Sequence, residues 1–325
     1  MDRTDSRVLR RWYLCASGVA LVLGAGGVMW LEAWSDRDES RATPLAAAPS
    51  VVLSNGVAGS GPDFGALAVE SIRQHGYLAV TVHVALADGG RSHLAPVAAR
   101  FGNGDDPSTN QYWGALYGFE THFANSGVWR RAYSDSGDGV RIVRRVVFDR
   151  SVEPSADWRR RGVVDRFDVY VLANAWRSAL MVEAMEQPLR EALAGDTVTL
   201  HVSGRDVSFG GAGVLVGYLG QNAMIERYWD PFAGLPRRSQ RGQVGVFYAC
   251  WKSAICLHRD VVEHGLYPVL FVRSEIVPEA YLVDGLLGAL VSGKSGDAFV
   301  VSAAEAYARY QRGVSPGRAA AMLFR

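Results

Sequence analysis

The chain has 325 residues, 49% of them hydrophobic, and its 34 Lys and Arg residues nearly balance its 33 Asp and Glu residues. This length and apolar content permit one large domain or two small ones with a sizeable buried core. Because the charge is close to neutral and no basic block is present, the composition argues against nucleic acid as the main partner.

The first predicted element is a transmembrane helix at residues 12–33, where WYLCASGVALVLGAGGVMWLEA carries no charge before Glu32. A helix needs about twenty apolar residues to cross the hydrocarbon core of a membrane. Trp and Tyr residues flank the stretch, arginines precede it, and mostly acidic residues follow it. The positive-inside rule therefore predicts a single-pass membrane protein with a cytoplasmic N-terminus and a periplasmic or extracellular main domain.

A cleaved signal peptide is the alternative interpretation, because three alanines at 46–48 resemble a cleavage site. They lie too far beyond the apolar stretch, so an uncleaved signal anchor is favoured. We divide the chain into a cytoplasmic tip and anchor (1–34), a flexible linker rich in Ala, Ser, Pro and Gly (35–62), and a folded domain (63–325).

The folded domain alternates short apolar runs with helical patterns. Near-continuous apolar strands separated by helices predict a mainly parallel sheet covered on both faces, which is a three-layer α/β sandwich. Strands are predicted at 78–87, 167–174, 213–219, 244–250 and 268–273, with an edge or extension strand at 141–148. Helices are predicted at 176–194, 278–291, 303–311 and 318–324.

Polar and reactive residues follow the predicted strands, at the edge where parallel α/β sheets bind ligands. Aromatic rings with amide neighbours can hold a sugar or a peptide, although such rings more often pack the rim of a core. The candidate binding residues are Asn110, Tyr112, Trp113, Asn174, Asn222, Lys252, Ser253 and Glu279.

Two of the turns carry a further signal. One predicted strand ends in Gly220-Gln221-Asn222, and the next ends in Tyr248-Ala249-Cys250-Trp251-Lys252-Ser253. This order resembles the caspase-like cysteine peptidases, the group of clostripain, gingipain and separase, in which a histidine follows one strand and the nucleophilic cysteine follows the next. Over about residues 78–289, the resemblance implies that Cys250 occupies the nucleophile position and Gln221 the histidine position.

The chain departs from that family at the base. Glutamine cannot accept the proton that activates a thiol, and Lys252 can favour a thiolate but cannot relay a proton as imidazole does. The leading hypothesis is therefore a catalytically degenerate domain, a pseudoenzyme that binds a peptide or glycan outside the cytoplasm. The alternatives are an active cysteine hydrolase with a base from His122, His258 or His264, and a structural envelope protein that only docks onto partners.

Other motifs give fewer expectations. Cys250 and Cys256 are either a disulfide or two small buried residues. No metal site is predicted, because no Cys-x-x-Cys, His-Glu-x-x-His or paired-histidine spacing is present. No cofactor is predicted either, because the glycines at 210–213 precede a strand instead of opening a helix after one. The stretch 135–139 (DSGDG) lacks the downstream glutamate of a calcium loop and is predicted to be a turn.

Overall fold

An eight-stranded mixed sheet forms the centre of the computed structural model, which describes residues 64–90, 97–227, 229–237 and 244–325. The sheet strands are β1 (Tyr77–Ala85), β2 (Arg130–Asp135), β3 (Ile142–Val152), β4 (Phe167–Trp176), β7 (Leu215–Leu219), β8 (Gly245–Ala249), β9 (Tyr267–Val272) and β10 (Leu323–Phe324). A separate antiparallel hairpin consists of β5 (Thr197–Val202) and β6 (Arg205–Gly210).

The strand order across the sheet is β10-β9-β8-β7-β1-β4-β3-β2. The five central strands, β9, β8, β7, β1 and β4, are parallel to one another. The antiparallel strands β10, β3 and β2 extend the sheet at its two edges. The prediction of a mainly parallel sheet is therefore confirmed. Among the parallel strands the chain passes from β1 to β4 on one side, and then to β7, β8 and β9 on the other side. The β1–β7 pair is therefore a topological switch point, where such sheets bind ligands.

Helices lie on both faces of the sheet, which gives the three layers of an α/β sandwich. On one face, Phe64 and Phe299 of two helices share a core with Val82 of β1. On the other face, the backbone carbonyl of Met185 accepts a hydrogen bond from the Tyr248 hydroxyl of β8, at 2.7 Å. The helices are α1 (Phe64–His75), α2 (Phe119–Asn125), α3 (Ala156–Arg160), α4 (Met181–Ala194), α5 (Ala223–Glu226), α6 (Ser253–Cys256), α7 (His258–Glu263), α8 (Ala280–Val291), α9 (Ala298–Tyr310) and α10 (Pro316–Met322).

Several boundaries differ from the prediction. The helix predicted at 303–311 begins at Ala298, and the helix predicted at 318–324 ends at Met322 and is followed by β10. The other differences lie on either side of α4 and in β3. The strand predicted at 167–174 continues to Trp176, because both β1 and β3 pair with it up to that residue. A 3-10 turn (Ser178–Leu180) then separates β4 from α4, so the helix predicted from residue 176 begins at Met181. Its end is as predicted, since Gly195 adopts a left-handed conformation with φ 82°. The strand predicted at 141–148 as an edge or extension is β3, which extends the parallel part of the sheet but is not its edge, because β2 pairs with its other side.

The turn predicted at 135–139 joins β2 to β3. Its central carboxylate, on Asp138, accepts hydrogen bonds from the backbone N–H groups of Val140, Arg141 and Ile142 at 2.6–3.0 Å. A carboxylate that satisfies three consecutive backbone donors stabilises the turn itself.

The predicted anchor (12–33) and linker (35–62) lie outside the described residues. Within the described ranges, no helix combines the length and the apolar character needed to span a membrane. The described residues belong to one unit of the chain, residues 62–325.

Candidate functional site

The candidate site is a buried polar cluster at the carboxyl ends of β7 and β8, two adjacent parallel strands. Cys250 follows β8 directly and has no exposed surface, and Gln221 follows β7 and is 8% exposed. The Tyr218 hydroxyl donates to the backbone carbonyl of Gln221 at 2.7 Å. The amide side chain of Gln221 is also hydrogen-bonded to the hydroxyl of Tyr112. The turns that carry Gln221 and Cys250 are therefore neighbours at one edge of the sheet.

The Cys250 thiol is buried and un-ionised. Burial raises the pKa of this thiol well above its ordinary value, and a hydrogen bond with Ser253 offsets only part of that rise. Ser253 is held in turn, because its hydroxyl donates to the Tyr248 carbonyl at 2.7 Å and accepts from the Val272 N–H at 2.9 Å. The thiolate is the reactive form of cysteine, so this environment suppresses nucleophilic attack. Cys250 is a free cysteine, which excludes a disulfide with Cys256.

Tyr112 connects Cys250 to a buried carboxyl group. Burial is the largest cause that raises the pKa of Tyr112 above its usual range, and the neighbouring acidic groups Glu279 and Cys250 raise it further. Glu279 immediately precedes α8, is 9% exposed, and is hydrogen-bonded to Tyr281 and Gln111. Burial raises the pKa of Glu279 above its ordinary value. The cluster thus contains a thiol, three phenols (Tyr112, Tyr218 and Tyr281) and a carboxyl group whose charged forms are all disfavoured by burial.

The substitution Glu279→Gln should remove a pH dependence of stability. A carboxyl whose pKa is raised in the folded state binds more protons there than in the unfolded state. The stability that the protonated Glu279 contributes is therefore complete below the carboxyl's unfolded-state pKa of 4.5. It is lost as the pH rises through the higher pKa of the folded state. We expect the wild type to lose stability relative to Glu279→Gln as the pH rises from 4.5 towards neutral, in urea unfolding at a series of pH values.

The control for this experiment is Glu275→Gln, which changes an exposed carboxyl four residues earlier. It should leave the slope of stability against pH as it is in the wild type. Parallel curves for the wild type and Glu279→Gln would contradict the buried state of Glu279.

Asn110 has a structural role. Its side-chain oxygen accepts from the backbone N–H groups of Ala87 and Tyr112, at 3.0 and 3.1 Å. Its amide nitrogen donates to the carbonyls of Ala87 and Asn103, both at 2.9 Å. All of the ordinary hydrogen-bonding positions of this amide are therefore occupied by the loop after β1. Asn110 places Tyr112 against the cluster and has no free amide group for a ligand.

Two other candidates do not lie with Cys250. The prediction that Asn174 ends its strand is wrong, since it lies inside β4 and accepts from the Arg145 Nε at 3.1 Å. Trp113 is buried elsewhere, because its indole N–H donates to Glu120 at 2.8 Å. Neighbouring residues Tyr112 and Trp113 therefore belong to different sites.

The remaining candidates shape the edge above the cluster. The Asn222 side chain accepts from the Met224 N–H at 3.0 Å and donates to the Trp251 carbonyl at 2.6 Å, which ties the two turns together. Lys252 is half-buried in a left-handed conformation with φ 54°, and its N–H donates to the Ser274 carbonyl at 3.2 Å. Such a conformation is unfavourable for residues other than glycine and is held by its surroundings.

No histidine in the described part of the chain is hydrogen-bonded to the Cys250 sulfur. His122 contacts Asp284 at 3.1 Å, and His264 contacts the Asp260 carbonyl at 2.7 Å. The ring of His258 packs instead against two phenylalanines, Phe271 and Phe324. The three predicted substitute bases are thus engaged away from the thiol.

Sequence analysis missed a buried polar chain on the α4 face of the sheet. The Trp176 indole N–H donates to His83 Nδ1 at 3.0 Å, and His83 Nε2 lies 3.0 Å from Glu191 Oε1. Because Nδ1 accepts a hydrogen bond, the ring is neutral and Nε2 carries the proton that it donates to Glu191. The other oxygen of Glu191 is buried with no hydrogen-bond partner among the described residues. The available signal was a histidine inside an otherwise apolar strand, YLAVTVHVA.

The fold and this cluster define a class: a three-layer α/β domain with a buried polar cluster at its switch-point edge. Comparison of the chain with protein-family models, with curated proteins and with solved structures finds no match. Within the described ranges, no group of three or more His, Cys, Asp or Glu residues is arranged to hold a metal ion.

Proposed function

We propose that this domain is a non-hydrolytic relative of the caspase-like cysteine peptidases that binds a peptide or a glycan outside the cytoplasm. The observation that carries the proposal is the environment of Cys250. Its sulfur is fully buried and its thiol pKa is raised by burial. Gln221 follows the neighbouring parallel strand, at the position that the resemblance assigns to the histidine. A cysteine that has no neighbouring base and that a substrate cannot reach keeps the position of a nucleophile in the fold but cannot attack a substrate.

The order of the strands supports the kinship. The turn with Gln221 ends β7, and the turn with Cys250 ends β8, which is the next strand both in the sheet and among the sheet strands along the chain. The resemblance implies the same arrangement, in which the base follows one strand and the nucleophile follows the next. Polar residues of the β1 loop and of the turn before α8 also reach the same cluster through Tyr112 and Glu279.

The edge above the cluster supplies the features of a binding surface. Trp251 and Lys252 are half-buried, and the backbone of Lys252 is held in a strained left-handed conformation of the kind that occurs at ligand sites. An indole ring and a cation together suit a peptide backbone or a sugar.

The proposed location follows from the N-terminal sequence. Residues 12–33 would anchor a single-pass protein with its N-terminus in the cytoplasm and residues 63–325 in the periplasm or outside the cell. Exposed peptide segments and glycans are the polymers that a tethered domain meets in that compartment.

The test is binding of the full chain, in detergent, to arrays of peptides and glycans. We expect binding to a defined class of one of them, with an affinity that Lys252→Gln lowers by about tenfold, as for the loss of one charge-assisted hydrogen bond. The control is Lys294→Gln, at the only other lysine of the chain, which is exposed after α8. Absence of binding on both arrays, or equal losses in the two variants, would overturn the proposal.

A further inference from the structure

We propose that a pocket separate from the Cys250 cluster binds the carboxylate of a small apolar acid. It lies between the loop before α2, α2 itself, and strands β2 and β3, and its volume is about 570 Å³. Volumes of this order are typical of sites for small molecules. The residues that carry the argument are Trp113, Glu120, Ala124, Arg131, Val143 and Arg144.

The floor of the pocket has a surplus of positive charge. Glu120 Oε1 accepts from Arg131 at 2.7 Å and from Arg144 at 2.8 Å, and Oε2 accepts from Trp113 at 2.8 Å and again from Arg144 at 3.2 Å. Burial alone would raise the pKa of Glu120, but the hydrogen bonds from Arg144 and Trp113 outweigh burial and lower it. One ionised carboxylate therefore faces two guanidinium groups. The nearby Asp135 does not remove this surplus, because it pairs with Arg145 at 3.5 Å.

Both guanidinium groups keep donors that Glu120 does not use. Arg131 contacts Glu120 through Nη1, so its Nε and Nη2 have no hydrogen-bond partner among the described residues. Arg144 contacts Glu120 through Nε and Nη2, so its Nη1 likewise has no hydrogen-bond partner among the described residues. Their side chains are 46% and 32% exposed and line the pocket. Because Glu120 fixes both arginines, their remaining N–H groups are oriented in advance for a planar anion.

The walls determine which group can accompany the carboxylate. Pro107, Ala124 and Val143 present apolar surface beside the arginines. A single surplus positive charge matches a monoanion, whereas a doubly charged phosphate would leave net negative charge in a half-enclosed site. The geometry therefore favours a carboxylate attached to a small apolar or aromatic group.

The test uses the full chain and 3-phenylpropionate as the probe, with its uncharged amide and phenyl phosphate as comparison ligands, in calorimetric titrations. We expect the acid to bind at least about tenfold more tightly than either comparison ligand, and Arg131→Gln to weaken it by about tenfold, as for one charge-assisted hydrogen bond. The matched control is Arg130→Gln, the preceding residue of β2, which pairs with Asp149 and Ser203 outside the pocket.

A peptide with a free C-terminal phenylalanine and its amidated form identify the source of the carboxylate. Binding of the free form alone would assign the pocket to a peptide terminus, and binding of 3-phenylpropionate alone would assign it to a free acid. Equal affinities for acid and amide, or equal effects of Arg130→Gln and Arg131→Gln, would overturn the proposal whatever the arrays show for Lys252→Gln.

Discussion

Replacing His83 by alanine is expected to lower the free energy of unfolding by about 3–5 kcal/mol, the range for breaking a buried polar network by removing one partner. His83 both accepts from Trp176 and donates to Glu191, and all three side chains are almost fully buried. The substitution would leave an indole N–H and a carboxylate without their partner in a dry environment. Each such unsatisfied group is destabilising by about 1–3 kcal/mol, and more if it is charged.

The measurement is urea unfolding of the full chain, followed by far-UV circular dichroism. The informative control is Glu191→Gln, which keeps a carbonyl oxygen to accept from His83 Nε2. We expect this control to lie within about 1 kcal/mol of the wild type. If His83→Ala were as stable as Glu191→Gln, the chain of hydrogen bonds from Trp176 to Glu191 would not stabilise the fold.

Alkylation of Cys250 is expected to be at least about a hundredfold slower than that of an exposed cysteine in the same segment. The reference is Ile255→Cys, five residues later at a position that is 48% exposed. Two effects act in the same direction on Cys250. Its sulfur is inaccessible, and burial raises its pKa, so that the thiolate fraction is small throughout the range from about pH 7 to 9.

The reaction with iodoacetamide would be followed by mass spectrometry of peptides, which separates Cys250 from the other cysteines of the chain. The rate at position 255 should rise with pH as thiolate forms, while the rate at Cys250 should follow the opening of the fold and rise on addition of urea. Comparable native rates at the two positions would show that the Cys250 sulfur is open to solvent and reactive.

The sheet was predictable because each central strand is a contiguous apolar run. In β1 all nine residues are buried. The apolar sequence therefore predicts the position of this strand without information on distant residues. The hairpin strand β5 alternates exposed and half-buried residues and packs only against β6 and the sheet, and sequence analysis missed it. The end of β4 was misplaced because its last two residues are strand through pairing with β1 on one side and β3 on the other, which the local sequence does not show.

The site was predictable only in part, for a related reason. The residues that follow parallel strands lie at the same edge of the sheet. The positions of the predicted strand ends were therefore enough to predict that Cys250, Gln221 and Glu279 lie at one edge. The roles of Asn110 and Trp113 depend on partners in other loops and helices, which no local pattern reveals. The contact of His83 with Glu191 joins residues 108 positions apart, beyond the reach of sequence periodicity.

The central claim is that the domain binds a peptide or glycan and leaves it intact. The most direct measurement incubates the wild type and Cys250→Ala with a ligand identified on the arrays and follows both binding and cleavage by mass spectrometry. We expect equal affinities and an uncleaved ligand with both proteins. Cleavage by the wild type that Cys250→Ala abolishes would contradict the claim and make Cys250 a working nucleophile.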